Sequence, residues 1–403
     1  EESDVIRILS ADLLLDIEGK ERGKLLMQTR RKGSETLFFI INNDREKPFS
    51  GEIKLTKRGL VSEYDLLTGS ERPVSTPDMR WKLSLEKTGS KVFILNTEKK
   101  PLEERTEAVQ ETTCETITLA RTVPVSLSTP NALTLDKAVF TLDGKEVCSG
   151  EELPLWLGED SIRKSLGMFS VDTDEITQRY MWINEKHPSD GRTVTVTFCF
   201  SSEIELTGAK LAAETPERFT IELNGKPVSS EDEGWYMDKA FRVLSLPPIR
   251  KGKNILTLST AYTLSSAIEA VYVIGDFAVT AGREIAEPVR MLDMGSWTRQ
   301  GLYHYPGNVT YSFSFRKPGG RVIIQLPELS ASTKSITING HVIELPFDYQ
   351  DKCDITPYIE ENNSLDITLC GSLRNMLGQL HRKGGKPAFS NPYSFVPREE
   401  DYS

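Results

Sequence analysis

The stretches Val196-Thr197-Phe198-Cys199-Phe200 and Phe219-Thr220-Ile221-Glu222-Leu223-Asn224-Gly225 are answered later in the chain by Val309-Thr310-Tyr311-Ser312-Phe313 and Ser335-Ile336-Thr337-Ile338-Asn339-Gly340. In each copy the first stretch alternates with the period of two that a half-buried strand requires. The second ends on Asn-Gly, which tolerates the positive φ of a two-residue hairpin turn. A third landmark follows in the same order, an asparagine opening another alternating strand: Asn254-Ile255-Leu256-Thr257-Leu258, then Asn363-Ser364-Leu365-Asp366-Ile367-Thr368-Leu369. Trp182 and Trp297 precede the first shared strand at comparable distances. Three landmarks in one order indicate a duplicated β-sandwich of jelly-roll type.

Working outward, short runs rich in Val, Ile, Thr, Phe and Tyr, punctuated by Gly, Asn, Asp and Pro, make the whole chain all-β with little helix. Thr36 to Ile41 and Gly51 to Thr56 read as strands, and Met79 to Leu85 with Lys91 to Leu95 as a hairpin around Thr88-Gly89. These belong to a first sandwich over residues 1–100. Glu98 to Glu115 is charged and lacks an apolar period, so residues 101–128 read as a linker or edge segment. The two repeated modules then occupy 129–281 and 282–403. Asn131 to Leu142 forms extended runs closing on Asp143-Gly144, followed by a helix that has Glu159 and Asp160 near its start, Ile162 and Leu166 on one face and Gly167 at its end. Leu373 to Leu380 has the spacing of a second helical turn.

At 403 residues the chain has room for two or three domains. Acidic residues outnumber basic ones by 59 to 49, a net charge of −10 that repels phosphate backbones and anionic lipid, so nucleic acid is not an expected partner. No stretch reaches the ~18 apolar residues of a membrane span, so no membrane partner is expected either. Five cysteines, odd in number and without a C-x-x-C pair, indicate neither a disulfide framework nor a zinc knuckle. The opening Glu1-Glu2-Ser3-Asp4 is not a signal peptide, and a start without methionine suggests a piece of something longer. The chain reads as soluble, with an extracellular or periplasmic setting favoured over a cytoplasmic one.

Several phrases carry a family resemblance: Pro130-Asn131-Ala132-Leu133-Thr134-Leu135-Asp136, Gly234-Trp235-Tyr236-Met237-Asp238-Lys239, Val273-Ile274-Gly275-Asp276-Phe277 and Gly295-Ser296-Trp297-Thr298-Arg299-Gln300-Gly301-Leu302. With them the chain resembles the C-terminal accessory β-sandwich region of large bacterial glycoside hydrolases, near family 2 and the family 106 α-L-rhamnosidases. The resemblance implies galactose-binding-like jelly rolls that accompany a polysaccharide-degrading enzyme. Glu63-Tyr64-Asp65-Leu66-Leu67-Thr68-Gly69 is similar to the sandwich that follows the catalytic barrel in many glycosidases, so the upstream catalytic domain of the parent chain becomes an expected partner. No alternation of strands and helices over ~250 residues supports a barrel within this chain.

Glycoside hydrolysis needs two facing carboxylates. Asn184-Glu185 is the tempting candidate, but the polar turn after it reads as a solvated strand end, and no catalytic residue is nominated. There is no G-x-S-x-G elbow, P-loop, dinucleotide fingerprint or H-E-x-x-H helix. Sugar binding needs flat apolar faces beside hydrogen-bonding side chains. The candidates are Trp235, Tyr236, Asp238, Trp297, Arg299, Tyr303 and Tyr305. The bland reading makes Trp235 and Trp297 core plugs; Ser296 and Pro306 bracket the second cluster and favour an exposed ring at Tyr303 or Tyr305. No cofactor is indicated. Jelly rolls of this kind sometimes hold a structural calcium, though Glu231-Asp232-Glu233 reads more simply as a solvated loop. The expected role is a non-catalytic region that binds carbohydrate or serves as scaffold. The alternatives are an enzyme with a site between modules and purely structural or oligomerisation sandwiches.

Overall fold

The computed structural model describes residues 15–19, 24–66, 69–74, 76–101, 119–169, 186–263, 265–266, 268–326, 331–344 and 352–377. Trp182, Asn184-Glu185, most of residues 101–118 and the end of the turn predicted up to Leu380 lie outside them. The fold is all-β, with antiparallel sheets and one described α-helix. The chain divides into two compact units, residues 1–117, 316–328 and 338–363 in the first, and 118–315, 329–337 and 364–403 in the second.

The first unit opens with β1 (Leu15–Gly19), β2 (Leu25–Lys32), β3 (Glu35–Asn42), β4 (Phe49–Leu55), β5 (Leu60–Tyr64), β6 (Glu71–Pro73), β7 (Arg80–Leu85) and β8 (Ser90–Asn96). They form two sheets, β1-β4-β7 and β2-β3-β8-β5-β6. Alternation decides the core: Phe38 and Ile40 on β3, Trp81, Leu83 and Leu85 on β7, and Phe93 and Leu95 on β8 are buried in one cluster. The predicted hairpin around Thr88-Gly89 is corrected here, because β7 and β8 lie in different sheets. Their apolar faces meet across the core, with the Trp81 and Phe93 rings 5.5 Å apart. The crossing is stitched to the end of β3 by the buried Asn42, whose amide nitrogen Nδ2 donates to Glu86 O (3.0 Å) and whose backbone N–H donates to Gly89 O (2.9 Å).

The second unit begins with β9 (Thr122–Leu127), β10 (Asn131–Leu135), β11 (Lys137–Leu142), β12 (Lys145–Glu146), β13 (Leu153–Pro154), α1 (Leu155–Ser165), β14 (Arg192–Ser202) and β15 (Lys210–Glu214). It continues with β16 (Thr220–Leu223), β17 (Lys226–Pro227), β18 (Trp235–Tyr236), β19 (Asp238–Ser245), β20 (Gly252–Tyr262), β21 (Val271–Gly275), β22 (Ala278–Val279), β23 (Ile285–Ala286), β24 (Met291–Asp293) and β25 (Val309–Arg316). Sheets β10-β21-β15-β19-β18 and β12-β11-β14-β20-β16-β17 share one hydrophobic core. Helix α1 starts four residues before Glu159, so Glu159 and Asp160 are not solvated N-terminal charges; both are buried within the helix. Gly158 lets α1 approach β11, since a Cβ there would lie 1.9 Å from the Phe140 ring.

Beyond this, the chain forms β26 (Ile323–Gln325), β27 (Thr333–Ile338), β28 (His341–Glu344), β29 (Lys352–Asp354) and β30 (Asn362–Cys370). Strands β26 and β29 pair in the first unit, and β24-β9-β25-β30-β27 run in order in the second. The predicted repeat has a physical basis. In the first copy Asn224 Nδ2 donates to Oδ1 of the fully buried Asn254 (2.8 Å); in the second Asn339 Nδ2 donates to Oδ1 of the buried Asn363 (2.9 Å). The turn asparagines take positive φ, 53° and 48°, and are followed by Gly225 and Gly340, also at positive φ. Each turn is thus bolted to the strand it packs beside. β9, inside the segment read as linker or edge, pairs with β24 on one side and β25 on the other.

Candidate functional site

The five-stranded sheet of the second unit places Lys210, Val243 and Ile274 on one face, since Lys210 pairs with Ser245 and Ile274 and the side chains alternate from there. Over the end of this face the chain from Val125 to Asn131, the strand β18 and the segment Ile274 to Phe277 enclose an open groove of about 770 Å³. Val289 and Arg290 complete its wall.

Trp235 lines the groove and is 55% exposed, an unusual state for the largest apolar side chain and the opposite of a core plug. Its neighbour Tyr236 is buried, and its hydroxyl donates to Pro130 O (2.7 Å), tying β18 to the opposite wall. Burial pushes the Tyr236 phenol well above its ordinary range, so it stays a neutral donor.

Four charged side chains line the groove, and they form two pairs. Lys210 Nζ lies 2.6 Å from Glu233 Oε2, and Ser245 Oγ donates to the other carboxylate oxygen. Arg290 forks onto Asp276 with Nη1–Oδ1 at 3.0 Å and Nη2–Oδ2 at 2.6 Å. Lys210, then Ser245, hold the Glu233 carboxyl below the usual range, and Arg290 does the same for Asp276. Both carboxylates are ionised at neutral pH, with lone pairs left over for hydroxyl donors.

The other predicted residues do not line the groove. Asp238 is exposed at the start of β19, and its carboxylate accepts from Ala240 N (2.8 Å) in the same strand. Trp297 is buried, edge-on to Tyr305 with ring centres 6.5 Å apart. The expectation of an exposed ring fails at Tyr305, which is fully buried because its hydroxyl holds two chain segments, accepting from Ser128 N (3.0 Å) and donating to Asn308 O (2.8 Å). Tyr303 is half-buried against the core and His304, while Arg299 is exposed. His304 is buried, with Nδ1 accepting from Thr134 N (3.2 Å). In the loop read against calcium, Asp232 pairs with Arg242 and Glu233 with Lys210. Among the described residues no group of three or more His, Cys, Asp or Glu side chains is arranged to hold a metal.

Sequence reasoning missed Lys210 and Arg290, whose partners lie 23 and 14 residues away and meet them only through strand pairing and a loop return. It also missed a second constellation. Glu214 lies four residues beyond Lys210 on β15, about 13 Å along the same sheet face, beside Phe241 and Tyr272, whose rings are 5.1 Å apart. Burial and the nearby Asp238 raise the Glu214 carboxyl; burial, then Glu214 and Glu159, push Glu269 up to about 7. Glu159 itself is buried in a network, accepting from Arg163 Nη2 (2.7 Å) and the Tyr262 hydroxyl (2.6 Å). That network is structural, as both partners are buried with it.

No family model matches the chain, and no curated protein matches it. Among solved structures it is similar to BuGH86 in complex with neoagarooctaose, in a single-site variant and in the wild-type form. Identity is 12% in both, with TM-scores of 0.16 and 0.15, and 63% and 67% of this chain is covered. The chain spans only 34% and 35% of the length of those matches.

Proposed function

We propose that this chain is a non-catalytic accessory region of a glycoside hydrolase and that it binds carbohydrate in the groove beside Trp235. The observation that carries this reading is a half-open indole on the wall of a groove large enough for a drug-sized ligand, with carboxylate and amine groups already fixed for hydroxyls. The proposal keeps 129–281 and 282–403 as two galactose-binding-like jelly rolls behind a sandwich at 1–100 and the segment 101–128, all downstream of a catalytic domain in a parent enzyme related to families 2 and 106. Within it the first module supplies Trp235 and most of the groove, the segment before it and the start of the second module complete the walls, and the second module's Trp297 and Tyr305 are spent on packing. Titration calorimetry with short oligosaccharides tests it. Trp235→Ala should weaken binding roughly tenfold or more while leaving the melting temperature unchanged, since the residue is exposed. Equal affinity for both proteins would exclude the groove.

One observation favours a second, catalytic reading: the Glu269 carboxyl, pushed up to about 7 by burial and then by Glu214 and Glu159, is suited to hold a proton near neutral pH beside a second carboxylate. Turnover of aryl glycosides by the chain, abolished by Glu269→Gln, would favour it over the accessory reading.

A further inference from the structure

The groove charges say which carbohydrates it takes. Lys210, Glu233, Asp276 and Arg290 are the charged side chains among its lining residues, two of each sign. Each cation is already committed to a carboxylate, one by a single short contact and the other by a two-pronged fork. A uronate or sulfate entering here would have to break one of these pairs or lie beside an ionised carboxylate, and the chain's net charge of −10 adds no attraction from a distance. An uncharged sugar meets none of these costs. Its hydroxyls donate to the spare lone pairs of Glu233 and Asp276 and accept from the remaining N–H groups of Arg290, while a C–H face lies on Trp235.

We infer that the ligand of this groove is a neutral oligosaccharide and that the two ion pairs exclude anionic glycans. This rests on the carbohydrate-binding reading above. It further implies that freeing one cation would change the specificity: Glu233→Gln leaves Lys210 without its carboxylate, and Asp276→Asn does the same for Arg290.

The experiment titrates the full chain, the two charge variants and Trp235→Ala with a panel of neutral, uronate-containing and sulfated oligosaccharides at low and high salt. The expected result is binding of at least one neutral member with little salt dependence, a preference of roughly tenfold or more over anionic members, and a gain of salt-sensitive anionic binding in Glu233→Gln or Asp276→Asn. Tighter, salt-sensitive binding of anionic members by the unaltered chain, lost in Trp235→Ala, would overturn the inference and leave the carbohydrate reading standing. No binding of either class by any protein in the set would overturn both.

Discussion

Glu269 shows how a single residue reports on its surroundings. Its carboxyl is pushed up to about 7, first by burial and then by Glu214 and Glu159, whereas in the unfolded chain it titrates near the ordinary 4.5. Between those values the native state binds more protons than the unfolded state, so the contribution of Glu269 to stability is complete below about pH 4.5 and is lost as pH rises through about 7. Protein atoms crowd Glu269 on most sides, yet its side chain stays accessible to solvent, and the water that reaches it trims the effect on stability to about 1 kcal/mol or less. Urea unfolding at pH 5 and pH 8 should therefore find Glu269→Gln more stable than the parent at pH 8 and not at pH 5; a constant difference at both would contradict the shift. The residue scale is also where the sequence was least readable. The turn-rich setting of Trp235 goes with an exposed ring, yet Tyr305, in an equally turn-rich setting, is fully buried. What separates them is a hydroxyl with partners at Ser128 and Asn308 far away in the chain, and no local pattern encodes that.

At the scale of elements, strands and turns were legible because alternation and Asn-Gly chemistry are local. Strands predicted at Thr36 to Ile41 and Gly51 to Thr56 became β3 and β4, and the repeated turns carry the expected positive φ. Partner choice was not legible. β7 and β8 are consecutive and alternating, as a hairpin would be, but they belong to opposite sheets because their apolar faces pack on each other. The helix boundary slipped for a similar reason: Glu159 and Asp160 resemble helix-start charges, and only the buried partners Arg163 and Tyr262 show otherwise. The contact between α1 and β11 makes a sharp prediction. Gly158→Ala gains up to about 1 kcal/mol of helix propensity, but its methyl group would sit inside the Phe140 ring, and relieving that overlap costs about 1 to 3 kcal/mol or more. Chemical unfolding should show a net loss of stability. An unchanged or raised midpoint would mean that α1 does not lie this close to the sheet.

At the scale of the whole molecule, the second unit is more interwoven than a linear reading of modules implies. β9 precedes the first repeat in sequence, yet it pairs with β24 and β25, at the start of the second. Hydrogen exchange should accordingly find the β9 amides protected together with those of β25 and not as a frayed segment; rapid exchange across Thr122 to Leu127 would contradict this pairing. The same return of chain builds the groove, whose far wall is the segment from Val125 to Asn131 that leads from one repeat's sheet into the other. The two stretches share the asparagine-bolted turn and strand, while the groove arises where they differ.

The most direct test of the account is to watch Trp235 itself. The chain has five tryptophans, so an indole N–H spectrum is small enough to assign by substitution. On titration with neutral oligosaccharides, the account predicts that the Trp235 resonance moves saturably while that of the buried Trp297 stays in place. Saturable binding that leaves Trp235 unmoved, or that moves Trp297 instead, would contradict it.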